Sequence, residues 1–254
     1  VENRIRFQVR KAGAMETIMK ATTKTEENPL KGLGEFGQSP WLDFIKRDLI
    51  TSGELKRLVE KEGLKGMTSN PAIFEKALST GDDYKLFIAG NAEKVKSAIE
   101  LYELIAIRDI QDAAEILRPV YEETNKRDGY ISLEVSPSLA NDTEMTLVEA
   151  RRLWKAVDRP NLMIKVPGTH EGIPAVQQLI SEGININVTL LFSQDAYRKI
   201  AEGYIAGLEK YADDHDDLSS VASVASFFVS RIDSLIDSQI QEKLESADGD
   251  ERKL

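Results

Sequence analysis

The chain contains no cysteine, only two histidines and no long run of apolar residues. Without cysteine it has neither disulfides nor thiolate metal sites, which is typical of cytoplasmic proteins. His170 and His215 lie in separate segments without the spacing of a metal site, so we expect no metal. No apolar run approaches the roughly 18 residues that cross a bilayer, and no apolar core of the signal-peptide type follows Val1. These absences predict a soluble, cytoplasmic protein.

Positive charge is also scarce. Lysine and arginine number 33 against 43 aspartates and glutamates, which gives a net charge of -10. Nucleic acids and anionic membranes attract basic surfaces, so neither is an expected partner. The rest of the composition is that of a globular protein, with 254 residues of which 41% are hydrophobic and 30% charged. Such a chain is long enough to build a sizeable core.

Strand-like and helical segments alternate along the chain. Six short apolar runs have the character of strands, at 41–44, 64–68, 130–135, 162–166, 184–192 and 221–229. Helical patterns lie between and after them, including 92–123, 143–157, 171–181, 194–211 and 232–244. Repeated strand and helix units predict parallel strands joined by crossovers, hence an α/β fold. We expect residues 19–254 to form one barrel domain and residues 1–18 to be an N-terminal extension outside it.

One lysine interrupts the fourth strand-like run, which extends from Asn161 to Pro167. Lys165 lies either on the solvent face of a half-buried strand or in a place where water is scarce. An amine held away from water loses its proton more readily and becomes a nucleophile near neutral pH. Enzymes obtain a lysine that forms a Schiff base in this way.

Alternation within the strands favours the second alternative for Lys165. Leu162, Ile164 and Val166 share one face of the strand, whereas Lys165 shares the other face with Met163. The same division recurs in two other strands, where the apolar and polar rows are Ile131, Leu133 and Val135 against Ser132, Glu134 and Ser136, and Ile184, Ile186, Val188 and Leu190 against Asn185, Asn187 and Thr189. Central strands of a doubly wound sheet are apolar on both faces, so a TIM (β/α)8-type barrel fits better.

Polar residues collect where these strands end. They are Asp43, Asn70, Glu134, Lys165, Asn187, Thr189 and Ser226. Parallel strands of a barrel end at one rim, and that rim is where barrel enzymes build their active sites. The sequence therefore predicts that these side chains lie close together.

A glycine-rich segment near the N-terminal side has the letters of a motif with a different function, but its position in the chain does not support that function. Gly32 to Gly37 matches the dinucleotide-binding pattern in its letters. That pattern has meaning only where it connects a strand to a helix, and this segment precedes a strand. We interpret it as a flexible loop and expect no cofactor.

Two segments resemble the signatures of the transaldolase family. They are Gly66 to Phe74 and Met163 to Ile173, the second of which contains the lysine. The likeness continues, in family order, through 39–43, 132–135, 187–193 and 226–231, so that it spans roughly residues 28 to 240.

The resemblance implies a transferase of the pentose phosphate pathway that needs no cofactor. Such an enzyme moves a dihydroxyacetone unit reversibly from sedoheptulose 7-phosphate or fructose 6-phosphate to an aldose phosphate. Lys165 resembles the Schiff-base lysine, and Asp43 resembles the acid and base that acts on the C4 hydroxyl. Glu134 and Thr189 resemble the pair that relays protons through a water. The resemblance further implies contacts of Asn70 and Asn187 with substrate hydroxyls, and of Ser226 and Arg231 with phosphate.

Several of these residues are also suited to purely structural roles. Asp43 and Asn70 fit the first turn of a helix, and Glu134 with Lys165 fits a structural ion pair. Arg231 fits a solvated helix position, and Phe227 with Phe228 is interpreted as core. For the whole chain, the alternatives are a fructose-6-phosphate aldolase-like enzyme that releases free dihydroxyacetone, and a non-catalytic sugar-phosphate-binding or assembly module.

The strand count departs from the family pattern. We find about six of the eight strand-helix units of a barrel, so that the last two units and their phosphate-binding loops would follow Leu254. A fragment, a shortened chain and a barrel completed by another chain all fit. Unpaired strand edges favour association, so a homo-oligomer is one of the expectations.

Overall fold

Six parallel strands form one sheet, in the order in which they occur in the chain. The computed structural model describes residues 28–80 and 82–246. The strands are β1 (Trp41–Asp43), β2 (Gly66–Thr68), β3 (Ile131–Glu134), β4 (Leu162–Pro167), β5 (Ile186–Leu191) and β6 (Ser223–Phe227). All six predicted strands are confirmed, with bounds slightly different from the expected ones. The predicted extension at 1–18 lies outside the described residues.

Helices connect the strands. They are α1 (Pro29–Gly32), α2 (Arg47–Thr51), α3 (Glu54–Glu62), α4 (Pro71–Thr80), α5 (Lys85–Asn91), α6 (Ala98–Glu123), α7 (Thr143–Val157), α8 (Gly172–Ser181), α9 (Gln194–Ala212) and α10 (Val229–Ser246). The sheet curls into a half-barrel with the helices between its strands. This arrangement is part of a TIM barrel, as the alternation of the strands predicted.

Helix α7 illustrates how the sequence determines these elements. The side chain of Asp142 accepts a hydrogen bond from the backbone N–H of Met145 at 3.0 Å and caps the first turn. The helix ends where Asp158 adopts a left-handed conformation. Between these ends, the buried residues recur at helical spacing and form one stripe, namely Thr146, Leu147, Ala150, Leu153 and Val157. The stripe packs against the outer face of the sheet.

The two faces of β4 are as predicted. Leu162, Ile164 and Val166 belong to the main apolar core, together with buried residues of the surrounding helices. Met163 lies on the other face, in a second cluster with Tyr121 and Tyr130. Because Lys165 alternates with Val166 and lies two residues from Met163, it faces the concave interior of the half-barrel.

Strand β5 departs from strict alternation near its end. The register with β6 shifts between Val188 and Leu191, and Leu190 has a positive φ of 62°. As a result Leu190 is 42% exposed and Leu191 is fully buried. The prediction that Leu190 continues the apolar row was wrong, because a bulge adds one residue and exchanges the faces.

The segment from Gly32 to Gly37 also differs from its prediction. It was predicted to be a flexible loop, whereas it comprises the end of α1 and a 3-10 turn over Leu33–Phe36. Asn28 caps α1 by accepting a hydrogen bond from the backbone N–H of Leu30 at 2.9 Å. Gly37 then adopts a left-handed conformation, φ 71°, which glycine takes without strain.

The flanks of the sheet are more exposed than its centre. The residues of β1 and β6 are half-buried or exposed, and none of the residues 229–246 in α10 is buried. Large apolar side chains on α10 therefore lie at the surface, among them Leu235, Ile236 and Ile240. Within residues 28–80 and 82–246, none of the helices is apolar over a length sufficient to span a bilayer.

Candidate active site

Lys165 is an enclosed charged group at the centre of the sheet. It lies in β4 beside Glu134 of β3 and Asn187 of β5, and only 5% of its surface is exposed. Its Nζ lies 3.5 Å from Glu134 Oε2 and donates a hydrogen bond to the carbonyl oxygen of Ser69 at 3.3 Å. Ser69 follows β2, and its hydroxyl donates to the carbonyl oxygen of Ser132 at 2.8 Å. The amine is thus held between β2 and β3.

The carboxyl group of Glu134 titrates abnormally. Burial raises the pKa of Glu134 above its ordinary value, and the negative charge of Asp43 raises it further. The ammonium of Lys165 acts in the opposite direction. A carboxyl group with a raised pKa keeps its proton to a higher pH and therefore exchanges it more readily near neutrality.

Asn187 connects three strands through hydrogen bonds. Its Nδ2 donates to the hydroxyl of Ser132 at 2.9 Å, and its Oδ1 accepts from the hydroxyl of Ser226 at 2.8 Å. Asn187 is 1% exposed, so these partners fix the orientation of its amide beside Lys165. The hydrogen bonds of Ser132, Asn187 and Ser226 therefore link β3, β5 and β6.

A cavity of about 580 Å³ lies on the concave face of the sheet. Four of the predicted site residues line it together, namely Asp43, Lys165, Asn187 and Ser226. Its wall is completed by Ser39, Trp41, Thr68, Arg127, Asp128, Val224, Ala225, Phe227 and Phe228. A space of this size is suited to a small ligand, and it brings a carboxylate and an amine to the same ligand.

The other four predicted residues lie outside this lining. Glu134 forms an ion pair with Lys165, which lines the cavity. Thr189 is buried in β5, at the position that pairs with Pro167 of β4. Asn70 accepts a hydrogen bond from the backbone N–H of Ile73 at 2.9 Å, so it caps α4. That contact is the structural one anticipated for Asn70, and a contact with substrate stays a prediction.

Arg231, the fourth of them, lies on an aromatic pair at the rim of the cavity. Its guanidinium carbon is 4.2 Å from the centre of the Phe228 ring, and that ring stacks on Phe192 at 5.6 Å. Phe227 and Phe228 both line the cavity, so their interpretation as core residues was wrong. The cause is the position of β6 at the flank of the sheet, where no further described strand covers these rings.

Sequence reasoning missed two residues that hydrogen-bond to this site and one tyrosine whose titration the site affects. Ser132 was placed on the polar face without a role, although it orients Asn187. Ser69 offers only its backbone carbonyl oxygen to Lys165, and a backbone contact leaves no signal in residue type. Burial, with the charge of Glu134 as the next cause, raises the pKa of Tyr102 to about 12. No spacing in the sequence connects Tyr102 of α6 with β3.

Comparisons with known proteins identify the family. The model of the transaldolase/fructose-6-phosphate aldolase family matches residues 40–253. A transaldolase of Trichodesmium erythraeum is 54% identical over 217 residues, which are 85% of this chain and 57% of that protein. Transaldolase 2 of a Nostoc species is 52% identical over 217 residues, 85% of this chain and 57% of that protein. A transaldolase of Thermobifida fusca is 49% identical over 213 residues, 84% of this chain and 58% of that protein.

The matched relatives are longer than this chain. The chain spans 57% of the length of the Trichodesmium protein and 58% of that of the Thermobifida protein. The family match covers far more than half of the chain, and it includes both signature segments and all six strands. The chain belongs to the transaldolase/fructose-6-phosphate aldolase family.

Proposed function

We propose that this chain carries the site of a transaldolase, a transferase that moves a dihydroxyacetone unit between sugar phosphates through a Schiff base. The donors are sedoheptulose 7-phosphate and fructose 6-phosphate, and the acceptor is an aldose phosphate. One observation carries the proposal. The amine of Lys165 is buried 3.5 Å from a carboxyl group with a raised pKa, and it opens on a cavity that also contains Asp43.

The first step forms the Schiff base. Glu134 takes a proton from the ammonium of Lys165, and the free amine adds to the ketose carbonyl carbon. The resulting carbinolamine loses its hydroxyl as water when Glu134 returns the proton, with Thr189 holding the water that carries it. The product is an iminium, which accepts electrons from a neighbouring bond. The raised pKa of Glu134 supports this assignment, because the same group must accept and return a proton near neutral pH.

The second step breaks a carbon-carbon bond. Asp43 takes the proton of the C4 hydroxyl, the bond between C3 and C4 breaks, and its electron pair moves into the iminium to form an enamine. The aldose phosphate leaves as an aldehyde. The enamine then adds to the acceptor by the reverse of this step, and hydrolysis frees Lys165. The fixed amide of Asn187 beside Lys165 supports a role in holding the hydroxyls of the three-carbon unit.

The phosphate group would lie at the rim of the cavity. Ser226 lines the cavity, and Arg231 lies on Phe228 at its edge. A guanidinium offers a planar fork of donors that matches phosphate oxygens. Stacking on an aromatic ring limits the freedom of the guanidinium before the ligand arrives. Asn70 would contact a substrate hydroxyl with the part of its amide that does not cap α4.

A cytoplasmic location and the association of copies of the chain are part of the proposal. A cytoplasmic location agrees with the supply of sugar phosphates, and cell fractionation tests it. Association of copies of the chain is tested by light scattering coupled to sizing.

Product analysis tests the proposed reaction. The folded chain, checked by circular dichroism and sizing, is incubated with fructose 6-phosphate, with and without erythrose 4-phosphate. A transaldolase forms sedoheptulose 7-phosphate, and more than one equivalent of glyceraldehyde 3-phosphate per chain, only when the acceptor is present. Free dihydroxyacetone in the absence of acceptor would identify an aldolase instead. Lys165→Ala should abolish product, whereas Lys56→Ala, which changes an exposed lysine of α3, should leave it unchanged. A folded chain without product in either mixture would refute the proposal.

A further inference from the structure

The segment that follows β1 connects Asp43 to a short helix. Asp43 is the last residue of β1, and α2 begins four residues later at Arg47 and is only five residues long. The side chain of the preceding residue, Lys46, does not cap α2. So short a helix is not stable by itself, and its first backbone N–H groups need partners from elsewhere. The position of Asp43 therefore depends on what holds the segment from Asp43 to Arg47, which we call the corner.

The corner is held by a tyrosine that directly precedes α5 and an aspartate from α6. The hydroxyl oxygen of Tyr84 accepts a hydrogen bond from the backbone N–H of Arg47 at 2.9 Å. The same hydroxyl donates to Asp109 Oδ2 at 2.9 Å. Arg47 Nε donates to Asp109 Oδ1 at 2.8 Å, and its Nη2 donates to the same oxygen. Each of the three residues thus contacts both of the others.

The arrangement is largely enclosed, with the side chain of Arg47 only 15% exposed. Tyr84 is fully buried and Asp109 is 1% exposed. The guanidinium carbon of Arg47 lies 5.1 Å from the centre of the Tyr84 ring and 4.5 Å from that of Phe87. Burial raises the pKa of Tyr84, so its hydroxyl keeps the proton that it donates to Asp109. A buried ion pair contributes little net stability, because removing both charges from water costs about as much as their attraction returns. Its hydrogen bonds do, however, fix geometry.

We propose that Arg47, Tyr84 and Asp109 are positioning residues that hold the carboxylate of Asp43 at the cavity. The proposal rests on the proposed function, in which Asp43 removes the proton of the C4 hydroxyl. None of the three residues lines the cavity, so they act through the backbone between Asp43 and Arg47. Ile45, in the middle of that segment, is fully buried and transmits any movement of the corner.

The two chemical steps should respond differently to a change in this network. Schiff-base formation depends on Lys165 and Glu134, which belong to β4 and β3. In the part of the chain that the structure describes, neither forms a hydrogen bond or ion pair with the three residues of the network. Carbon-carbon cleavage depends on Asp43. A displacement of a catalytic group by about 1 Å lowers a rate by up to about 100-fold, so a loosened network slows cleavage while the Schiff base still forms.

The variant Tyr84→Phe removes the shared hydroxyl and keeps the ring. The chain is mixed with fructose 6-phosphate alone, reduced with borohydride at short times, digested, and analysed for the mass added to the peptide that contains Lys165. The unchanged chain should carry mostly the three-carbon adduct. Tyr84→Phe should carry mostly the intact sugar phosphate, with about tenfold lower kcat for transfer and KM within about twofold. The matched control is Gln111→Ala, which removes hydrogen bonds from the same helix α6 to the end of α7 and should leave the adduct as in the unchanged chain.

Each outcome decides the proposal. A folded Tyr84→Phe variant with the adduct composition and kcat of the unchanged chain overturns the positioning role. So does a loss of total adduct in proportion to the loss of folded protein, because a merely structural role predicts that result. If Tyr84→Phe does not fold, Arg47→Lys takes its place, since it keeps the charge but not the paired donors. An unchanged chain that forms no adduct refutes the proposed function itself, and with it the role of the network.

Discussion

The centre of the sheet and its two flanks hold their functional groups in different ways. In β3, β4 and β5, Glu134, Lys165 and Asn187 are almost enclosed, and each has protein partners within hydrogen-bonding or ion-pair distance. At the flanks, Asp43 of β1 and Arg231 of α10 are exposed. A lysine becomes a nucleophile only with the help of its surroundings, whereas groups that meet the substrate must remain reachable. The difference supports the proposal that the Schiff base forms at the centre, while Asp43 and Arg231 act on the substrate from the flanks.

Stability follows the same division. The residues of β4 are all buried, while α10 has no buried residue. Hydrophobic stabilisation scales with the apolar area removed from water, so the central strands and the helices that cover them contribute most of it. The flanks can therefore change more freely without unfolding the rest.

The largest expected effect belongs to the centre. Lys165→Met removes the nucleophile and should lower transfer by about 10⁴-fold or more, since no other lysine among the described residues lines the cavity. It also leaves Glu134 without its cation, which should raise the pKa of that carboxyl further. The double variant Lys165→Met with Glu134→Gln should then be more stable than Lys165→Met alone above neutral pH, because it has no uncompensated buried charge. Urea unfolding measures this, and a less stable double variant would show that Glu134 does not depend on Lys165.

A somewhat smaller loss of transfer activity is expected when Asp43, on one flank of the sheet, is changed. Asp43→Asn should lower transfer by about 10² to 10⁴-fold while borohydride still traps an adduct on Lys165. Because the charge of Asp43 raises the pKa of Glu134, its removal lets Glu134 ionise at a lower pH. The acid side of the profile of adduct formation against pH should therefore shift to lower pH. An unshifted profile would show that the charge of Asp43 does not act on Glu134, and the absence of adduct would show that Asp43 is needed for Schiff-base formation, as the central groups are.

Measurements of unfolding free energy test the difference between the centre and the flanks without relying on the reaction. Ile164→Ala, at a fully buried position of β4, should lower the free energy of unfolding by about 2 to 5 kcal/mol because it leaves a cavity. Ile240→Ala, at a half-exposed position of α10, should change it by less than about 0.5 kcal/mol. Equal effects of the two substitutions would show that α10 is packed as tightly as the centre.

The smallest effect is expected at Arg231. Arg231→Lys keeps the charge but loses the planar fork and its stacking on Phe228, so KM for the sugar phosphate should rise by about threefold to tenfold with little change in kcat. Arg198→Lys, at an exposed position of α9, is the control and should leave KM unchanged. An unchanged KM in Arg231→Lys would remove Arg231 from the site.

The fold was predictable because its signal is local. Alternating apolar and polar residues in β3 and β4 determined which side chains face the interior, and Lys165 and Glu134 are adjacent in register as a result. The family resemblance added roles for these residues, and those roles remain proposals. The bulge at Leu190 was not predictable, because a positive φ at a leucine has no marker in residue type.

Tertiary contacts were the other part that the sequence could not reveal. Arg47, Tyr84 and Asp109 lie far apart in the chain, and each is an ordinary helix or loop residue when considered alone. Phe228 has the apolar character of a core residue, and only the position of β6 at the flank places it on the cavity. Sequence patterns indicate which face a side chain occupies, but not which distant partner it meets.

Peptide-resolved mass analysis of the borohydride-reduced chain tests most directly whether Lys165 is the nucleophile. The chain, first shown to be folded, is incubated with fructose 6-phosphate and reduced, and every lysine-containing peptide is examined. We expect a three-carbon adduct confined to the peptide with Lys165 and absent from Lys165→Met. A folded chain without this adduct, or with the same adduct after Lys165→Met, would contradict the assignment of Schiff-base chemistry to the centre of the sheet.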